Sequence, residues 1–179
     1  MSLPQVTMTA EKLEETLEKI VRRPHKKIHK GKVVISPDVY RTPGKETNVF
    51  LSPYSFLDCT GSIRIGPWCM FGARSRIYTH DHIHTGKRPL LEIQEAFGIV
   101  WQDKYIGADV WIHDNALILY QATFIPDGVV LGAGSILTKN PGPYEIWAGA
   151  PAKKVGERAD ADDGTIERIL KKDRFLLPD

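Results

Sequence analysis

An apolar residue followed by glycine or another turn-forming residue recurs every six positions through much of this chain. The period shows first in Ile65-Gly66-Pro67-Trp68-Cys69-Met70, Phe71-Gly72-Ala73-Arg74-Ser75-Arg76 and Ile77-Tyr78-Thr79. It resumes in Ile106-Gly107-Ala108-Asp109-Val110-Trp111, Ile112-His113-Asp114-Asn115-Ala116-Leu117 and Ile118-Leu119-Tyr120-Gln121-Ala122-Thr123. After one extra residue, Phe124, it continues through Ile125-Pro126-Asp127-Gly128-Val129-Val130 and Leu131-Gly132-Ala133-Gly134-Ser135-Ile136 to Leu137. A period of six fits neither an α-helix nor a long plain strand. It fits a very short strand and a sharp turn, repeated. The large aliphatic residue and the small residue two places before it share one strand face and point inward. Glycine, aspartate and asparagine follow where the chain turns, at positions that tolerate positive φ. Stacked turns of such a coil bury a continuous aliphatic column, so the expected class is an all-β repeat.

The rhythm breaks between Thr79 and Tyr105, in a polar, irregular stretch with three histidines. An insertion inside a regular array is where a binding or catalytic loop is expected. Ahead of the array, Thr9–Arg23 carries Leu13, Leu17, Ile20 and Val21 on one helical face, with Thr9 as N-cap and Arg22-Arg23 at the far end. The basic run from Arg22 to Lys32 reads as a solvated linker, with phosphate binding as the alternative. After the array, Thr165–Leu176 spaces Ile166, Ile169 and Leu170 as a short amphipathic helix, to be packed on the coil end or on a partner subunit. The expected layout is an N-terminal helix and basic linker over 1–45, a β-helix domain over 46–156 with its loop at about 80–105, and a C-terminal helix over 157–179.

Composition narrows the function. A net charge of +2 makes nucleic acid an unexpected partner for the chain as a whole. Two cysteines, Cys59 and Cys69, make neither a zinc framework nor a disulfide scaffold, and Cys69 falls on a small inward position of the repeat. With no apolar run near the roughly 18 residues of a membrane span and no apolar signal core, a soluble cytoplasmic protein is the expectation.

Three segments carry a family resemblance: Tyr105-Ile106-Gly107-Ala108-Asp109-Val110-Trp111-Ile112, Leu131-Gly132-Ala133-Gly134-Ser135-Ile136-Leu137-Thr138-Lys139, and Trp147-Ala148-Gly149-Ala150-Pro151-Ala152-Lys153-Lys154-Val155. Over roughly residues 50 to 175 the chain resembles the hexapeptide-repeat acyltransferases, most closely the branch of xenobiotic, maltose and sugar O-acetyltransferases. The resemblance implies a left-handed parallel β-helix of triangular section and a homotrimer. It also implies acetyl-CoA as acyl donor, lying between neighbouring prisms, with no metal required. The implied reaction moves an acetyl or similar acyl group to a hydroxyl, with histidine as general base.

The family's pattern of an aliphatic residue, Tyr-Thr, any residue and Asp-His is met by Ile77-Tyr78-Thr79-His80-Asp81-His82, which assigns the base to His82 and leaves His80 as its rival beside the acceptor. Trp101, near the loop's return, would line the acceptor pocket or cover the open side of the coil. Ala133 is small enough for the pantetheine arm, Asp114 lies at the matching turn one coil earlier, and Lys139, Lys153 and Lys154 stand where relatives hold the phosphates. Gly156 replaces a family arginine, so Lys154 or Arg158 would substitute. His84 and His113 read as backbone-bonded loop histidines, although His113 occupies a family glycine position. Gly132-Ala133-Gly134 lacks the third glycine of a dinucleotide fingerprint.

Two other classes stay open. A metal enzyme like the γ-class carbonic anhydrases would use the alternating His80, His82 and His84, and a catalytically silent repeat protein would bind no CoA. A sugar or glycan hydroxyl is the preferred acceptor over an antibiotic, because the loop reads as polar and short of broad apolar lining.

Overall fold

The computed structural model describes residues 33–35 and 49–172; the helix expected at Thr9–Arg23 and the basic run lie outside them. Short strands alternate with sharp corners and visit three faces in turn. The first face stacks β1 (Val33–Ile35), β4 (Ile63–Ile65), β9 (Lys104–Ile106) and β12 (Phe124–Ile125). The second stacks β2 (Phe50–Leu51), β5 (Met70–Phe71), β10 (Trp111–Ile112), β13 (Val130–Leu131) and β15 (Glu145–Gly149), closed by an antiparallel β16 (Ala152–Glu157). The third stacks β3 (Phe56–Leu57), β6 (Arg76–Ile77), β11 (Leu117–Ile118) and β14 (Ile136–Leu137). All the other pairings within these faces are parallel, and the chain forms the expected left-handed parallel β-helix.

Register aligns the repeat with itself. Ile65, Ile106 and Ile125 pair in one column, Phe71, Ile112 and Leu131 in a second, and Ile77, Ile118 and Leu137 in a third. All nine are essentially fully buried, as are the small residues Cys69, Ser75, Ala116, Ala122 and Ser135. Burial at roughly 25 cal/mol per Å² of apolar surface makes this column the main stabilising element.

Two corners are built on left-handed residues. Trp68, Asp109, Gly128 and Tyr144 form one ladder at φ of 65, 56, 72 and 58°, and Tyr54, Arg74, Asn115 and Gly134 form the other at 64, 58, 58 and 66°. Backbone bonds link successive rungs, such as Asp109 N–H to Pro67 O at 2.8 Å and Asn115 N–H to Ala73 O at 2.9 Å. Tyr54, Trp68, Arg74 and Tyr144 hold these turns without being glycine, aspartate or asparagine, against a cost of about 1–2 kcal/mol each. The stack over-determines the turn.

The third corner is where the coils differ. Ile125 follows Ile118 by seven positions rather than six, and the extra length lies in the corner after Ile118. Phe124 is an ordinary outward strand residue stacked on Tyr105 at 5.2 Å. One coil earlier the same corner extrudes the expected loop, but not as irregular chain. It forms β7 (His80–His82), α1 (Leu90–Phe97) and β8 (Ile99–Trp101), with β7 and β8 antiparallel and Gly98 N–H closing the helix on Gln94 O. At the far end, α2 (Asp163–Lys172) begins two residues before the expected Thr165. Its Ile166 and Ile169 are 45% and 53% exposed, so its apolar side is not packed on the coil.

Candidate active site

The site grows from one buried carboxylate. Asp58 follows the inward Leu57 at the third corner, and its Oδ1 accepts the Thr60 N–H at 3.1 Å and the Thr60 hydroxyl at 2.8 Å. Its Oδ2 accepts the N–H groups of Thr79 at 2.9 Å and His80 at 3.1 Å, and lies 3.0 Å from the Thr79 hydroxyl. The same oxygen is 2.5 Å from His80 Nδ1. Burial pushes the Asp58 carboxyl up, but the Thr79 N–H, the Thr60 hydroxyl, the His80 hydrogen bond and the His80 charge together hold it below its ordinary value. An ionised carboxylate accepts only, so His80 Nδ1 donates, and in the neutral form of the ring the lone pair falls on the other nitrogen, Nε2. The His80 side chain keeps 19% of its surface exposed, enough for Nε2 to meet a reactant. A carboxylate behind an imidazole fixes tautomer and aim, the arrangement a general base needs.

His82 is placed differently. It is exposed at the end of β7, with its ring edge-on to His80 at 5.8 Å between centroids. Its N–H bonds Asp81 Oδ1 at 2.8 Å, and its carbonyl lies 3.1 Å from His84 Nδ1. Trp101 is the register partner of His80 across the hairpin, so these two acceptor-side candidates are adjacent. His113 lies elsewhere, its ring stacked on Trp111 at 3.7 Å. Among the described residues no three His, Cys, Asp or Glu side chains gather to hold a metal ion.

The residues expected to hold the donor divide into two groups. Asp114 and Ala133 are exposed neighbours on the corner between the second and third faces, linked by Gly134 N–H to Asp114 O at 3.0 Å. The Asp114 carboxylate is already engaged by Ala73 N–H at 2.7 Å, bracing one coil to the next. Lys139 follows β14 on the same corner as His80, two coils on, with its ammonium 5.3 Å from the centre of the Trp147 ring. Lys154 is tied to Glu145 at 3.0 Å and to Glu157. The Gly142 N–H, Trp147 indole and Lys154 pull the Glu145 carboxyl down to about 2. Lys153 is exposed and has no ion-pair partner among the described residues. Arg158 clamps the first corner through Asp109 at 2.7 Å and Gly128 O at 3.2 Å, so it is occupied in the fold.

Three site residues escaped the sequence reading: Asp58, Thr60 and Lys104. Lys104 is buried inside the coil, and its Nζ donates to the carbonyls of Leu119 at 2.7 Å, Tyr120 at 3.1 Å and Ala122 at 2.6 Å. Burial pushes its ammonium down to about 7, with the Asp58 charge pulling the other way. Period-2 alternation from Ile106 was the available signal, since it sets Lys104 on the inward face. No comparable pattern marked Asp58.

No family model matches the chain. A chloramphenicol acetyltransferase of Morganella morganii is 32% identical over 114 residues, which are 56% of this chain and 54% of the relative. The chain thus spans about half the length of that relative. Among solved structures, a maltose O-acetyltransferase from Clostridium difficile aligns over 89% of this chain and 80% of its own, at 23% identity and a TM-score of 0.51. A hexapeptide-repeat acetyltransferase of Vibrio cholerae, solved with acetyl-coenzyme A, aligns over 84% of this chain and 78% of its own, at 18% identity and a TM-score of 0.53.

Proposed function

We propose that this chain, which shares its fold with hexapeptide-repeat acetyltransferases, moves an acetyl group from acetyl-CoA to an acceptor hydroxyl, with His80 as general base. The carrying observation is the 2.5 Å contact between His80 Nδ1 and the buried Asp58 carboxylate. His80 Nε2 takes the hydroxyl proton as the oxygen bonds to the thioester carbon. The tetrahedral adduct then collapses, the carbon–sulfur bond breaks, and His80 returns the proton to the departing CoA thiolate. Asp58 lies against the imidazolium between these two transfers. His82, which the sequence pattern favours, stands at the outer edge of the pair and is proposed to contact the acceptor together with Trp101.

The donor's place follows from the two corners. Ala133 and Asp114 share one corner, while His80 and Lys139 share another, so a site using all four is best formed between two prisms. A homotrimer would supply it, and the outward row Phe50, Met70, Trp111, Val130 and Ile146 on the second face supports such packing. Phe50, Met70 and Trp111 are exposed large apolar residues of the single chain. Lys139 and Lys153 are the lysines proposed for the CoA phosphates; Lys154 is neutralised by two glutamates.

A sugar or glycan hydroxyl remains one acceptor class. An apolar xenobiotic is the second, and a specific observation favours it. The loop expected to be polar exposes Leu90, Leu91, Phe97, Val100 and Trp101, which removes the ground for preferring a carbohydrate. Release of free thiol from acetyl-CoA, followed with sugar and chloramphenicol acceptors, tests the reading. His80→Ala should lower kcat by about 10²–10⁴-fold, and His82→Ala should act mainly on the acceptor KM. Near-full kcat in His80→Ala together with collapse in His82→Ala would return the base to His82.

A further inference from the structure

His80 Nδ1 has two oxygen neighbours. Asp58 Oδ2 lies 2.5 Å away, and the Thr60 hydroxyl oxygen lies 3.1 Å away. Thr60 is itself buried, with 2% of its surface exposed, and it meets Asp58 twice. Its N–H reaches Asp58 Oδ1 at 3.1 Å, which closes a two-residue aspartate turn, and its hydroxyl reaches the same oxygen at 2.8 Å. The N–H groups of Thr79 and His80 fix Oδ2 in turn, so each carboxylate oxygen has its own anchor. An ionised carboxylate accepts only, so the Thr60 hydroxyl proton goes to Oδ1 and a hydroxyl lone pair is what Nδ1 meets. Nδ1–H thus faces two acceptors, neither of which has a proton to offer it. Burial pushes the Asp58 carboxyl up, and the Thr60 hydroxyl stands next after the Thr79 N–H among the groups that hold it low.

We propose that Thr60 is a positioning residue for the transfer reaction: its hydroxyl anchors Asp58 Oδ1 and gives His80 Nδ1–H a second acceptor, so that Nε2 stays aimed while the ring gains and loses its proton. The proposal rests on the assignment of His80 as base. The backbone half of the contact is the turn, and any residue other than proline at this position supplies it. The hydroxyl half is separate from that turn. A ring held through one acceptor can still swing about it, and a second oxygen on the same N–H narrows the swing. The aim matters because a general base acts only within hydrogen-bond reach of the proton it takes.

The test compares Thr60→Val, which keeps the N–H turn and the branched shape but removes the hydroxyl, with Thr60→Ser, which keeps the hydroxyl. Thr60→Val should lower kcat by roughly 10–100-fold, with the KM of acetyl-CoA and of the acceptor little changed. Thr60→Ser should recover most of that loss. Thr60→Ala gives a second hydroxyl-free chain that cannot overfill the site. Equal losses in Thr60→Val, Thr60→Ala and Thr60→Ser would make Thr60 a packing residue, and full kcat in Thr60→Val would show that the turn suffices; either result overturns the proposal. An activity-free arm keeps it separate from the proposed reaction. The downfield Nδ1–H proton signal of His80 in the full chain reports how firmly the ring is held. It should persist in wild type and Thr60→Ser, and broaden in Thr60→Val and Thr60→Ala as the freer ring exchanges that proton with water. An unchanged signal in both hydroxyl-free variants would overturn the positioning role even if the chain proved an active acetyltransferase. The expected broadening in a chain without transferase activity would instead overturn the proposed function and leave the positioning intact.

Discussion

Asp58 carries more hydrogen bonds than any catalytic role requires, and this separates what it does for folding from what it does for His80. Thr79 and Thr60 engage both carboxylate oxygens, so an amide can still hold the loop root through one oxygen. Asp58→Asn with its oxygen in the Oδ2 place keeps the bonds to Thr79 and His80 but removes the negative charge that would face the His80 imidazolium. The variant should fold with wild-type circular dichroism and lose about 10²–10⁴-fold in kcat, with little change in the CoA KM; single-turnover acetyl transfer would measure it. A loss confined to stability would make Asp58 a scaffold only. The pair was not legible in the sequence because its members are 22 positions apart, in different coils. The repeat shows which residues stack only where it is in phase, and Asp58 sits in a corner outside the hexapeptide frame. Lys104 was different: Ile106 placed it inward, and its charge hid a signal that the frame already contained.

At the scale of elements, the corners show the repeat tolerating residues that an isolated turn would reject. Arg74 holds φ of 58° between Ala73 and Ser75, braced by its N–H to Pro53 O at 3.3 Å and by Asn115 N–H to Ala73 O at 2.9 Å. A β-branched side chain crowds this backbone region most. Arg74→Val should therefore destabilise the coil by about 1–2 kcal/mol, while Arg74→Gly should be neutral or slightly stabilising, since relief of strain offsets the entropy of glycine. Chemical denaturation of the two variants beside wild type checks the contrast; equal loss in both would point to the Arg74–Tyr54 contact instead. The hexapeptides were legible because each strand contributes one large and one small inward residue, and those residues are the buried ones. The loop's α1 was not. It spans eight residues with Ile93 as its buried side chain, too few positions for a helical period to stand out from a polar stretch.

For the whole molecule, coil order and face assignment follow from the six-residue phase, but the hand of the coil does not, because ordinary crossover preference favours the opposite one. The electrostatics of the folded chain were also invisible before the coils were stacked, and they give its pH dependence two opposite arms. The Asp58 and Glu145 carboxyls sit below their unfolded values, so the stability they contribute is complete above about pH 4. It is lost as pH falls through their folded values, about 2 for Glu145. Lys104 is also lowered, to about 7, but as a cation this reverses the sign. Below pH 7 both folded and unfolded chains keep its proton, and the folded chain bears the full burial cost. Between pH 7 and the unfolded value near 10.4, the unfolded chain binds more protons than the folded one, so stability rises with pH across that window. Thermal melts from pH 3 to 10 should show an acid loss in wild type and in Lys104→Gln alike, whereas the alkaline rise should be present in wild type and flattened in Lys104→Gln. A rise that persists in Lys104→Gln would assign it to groups other than this buried ammonium.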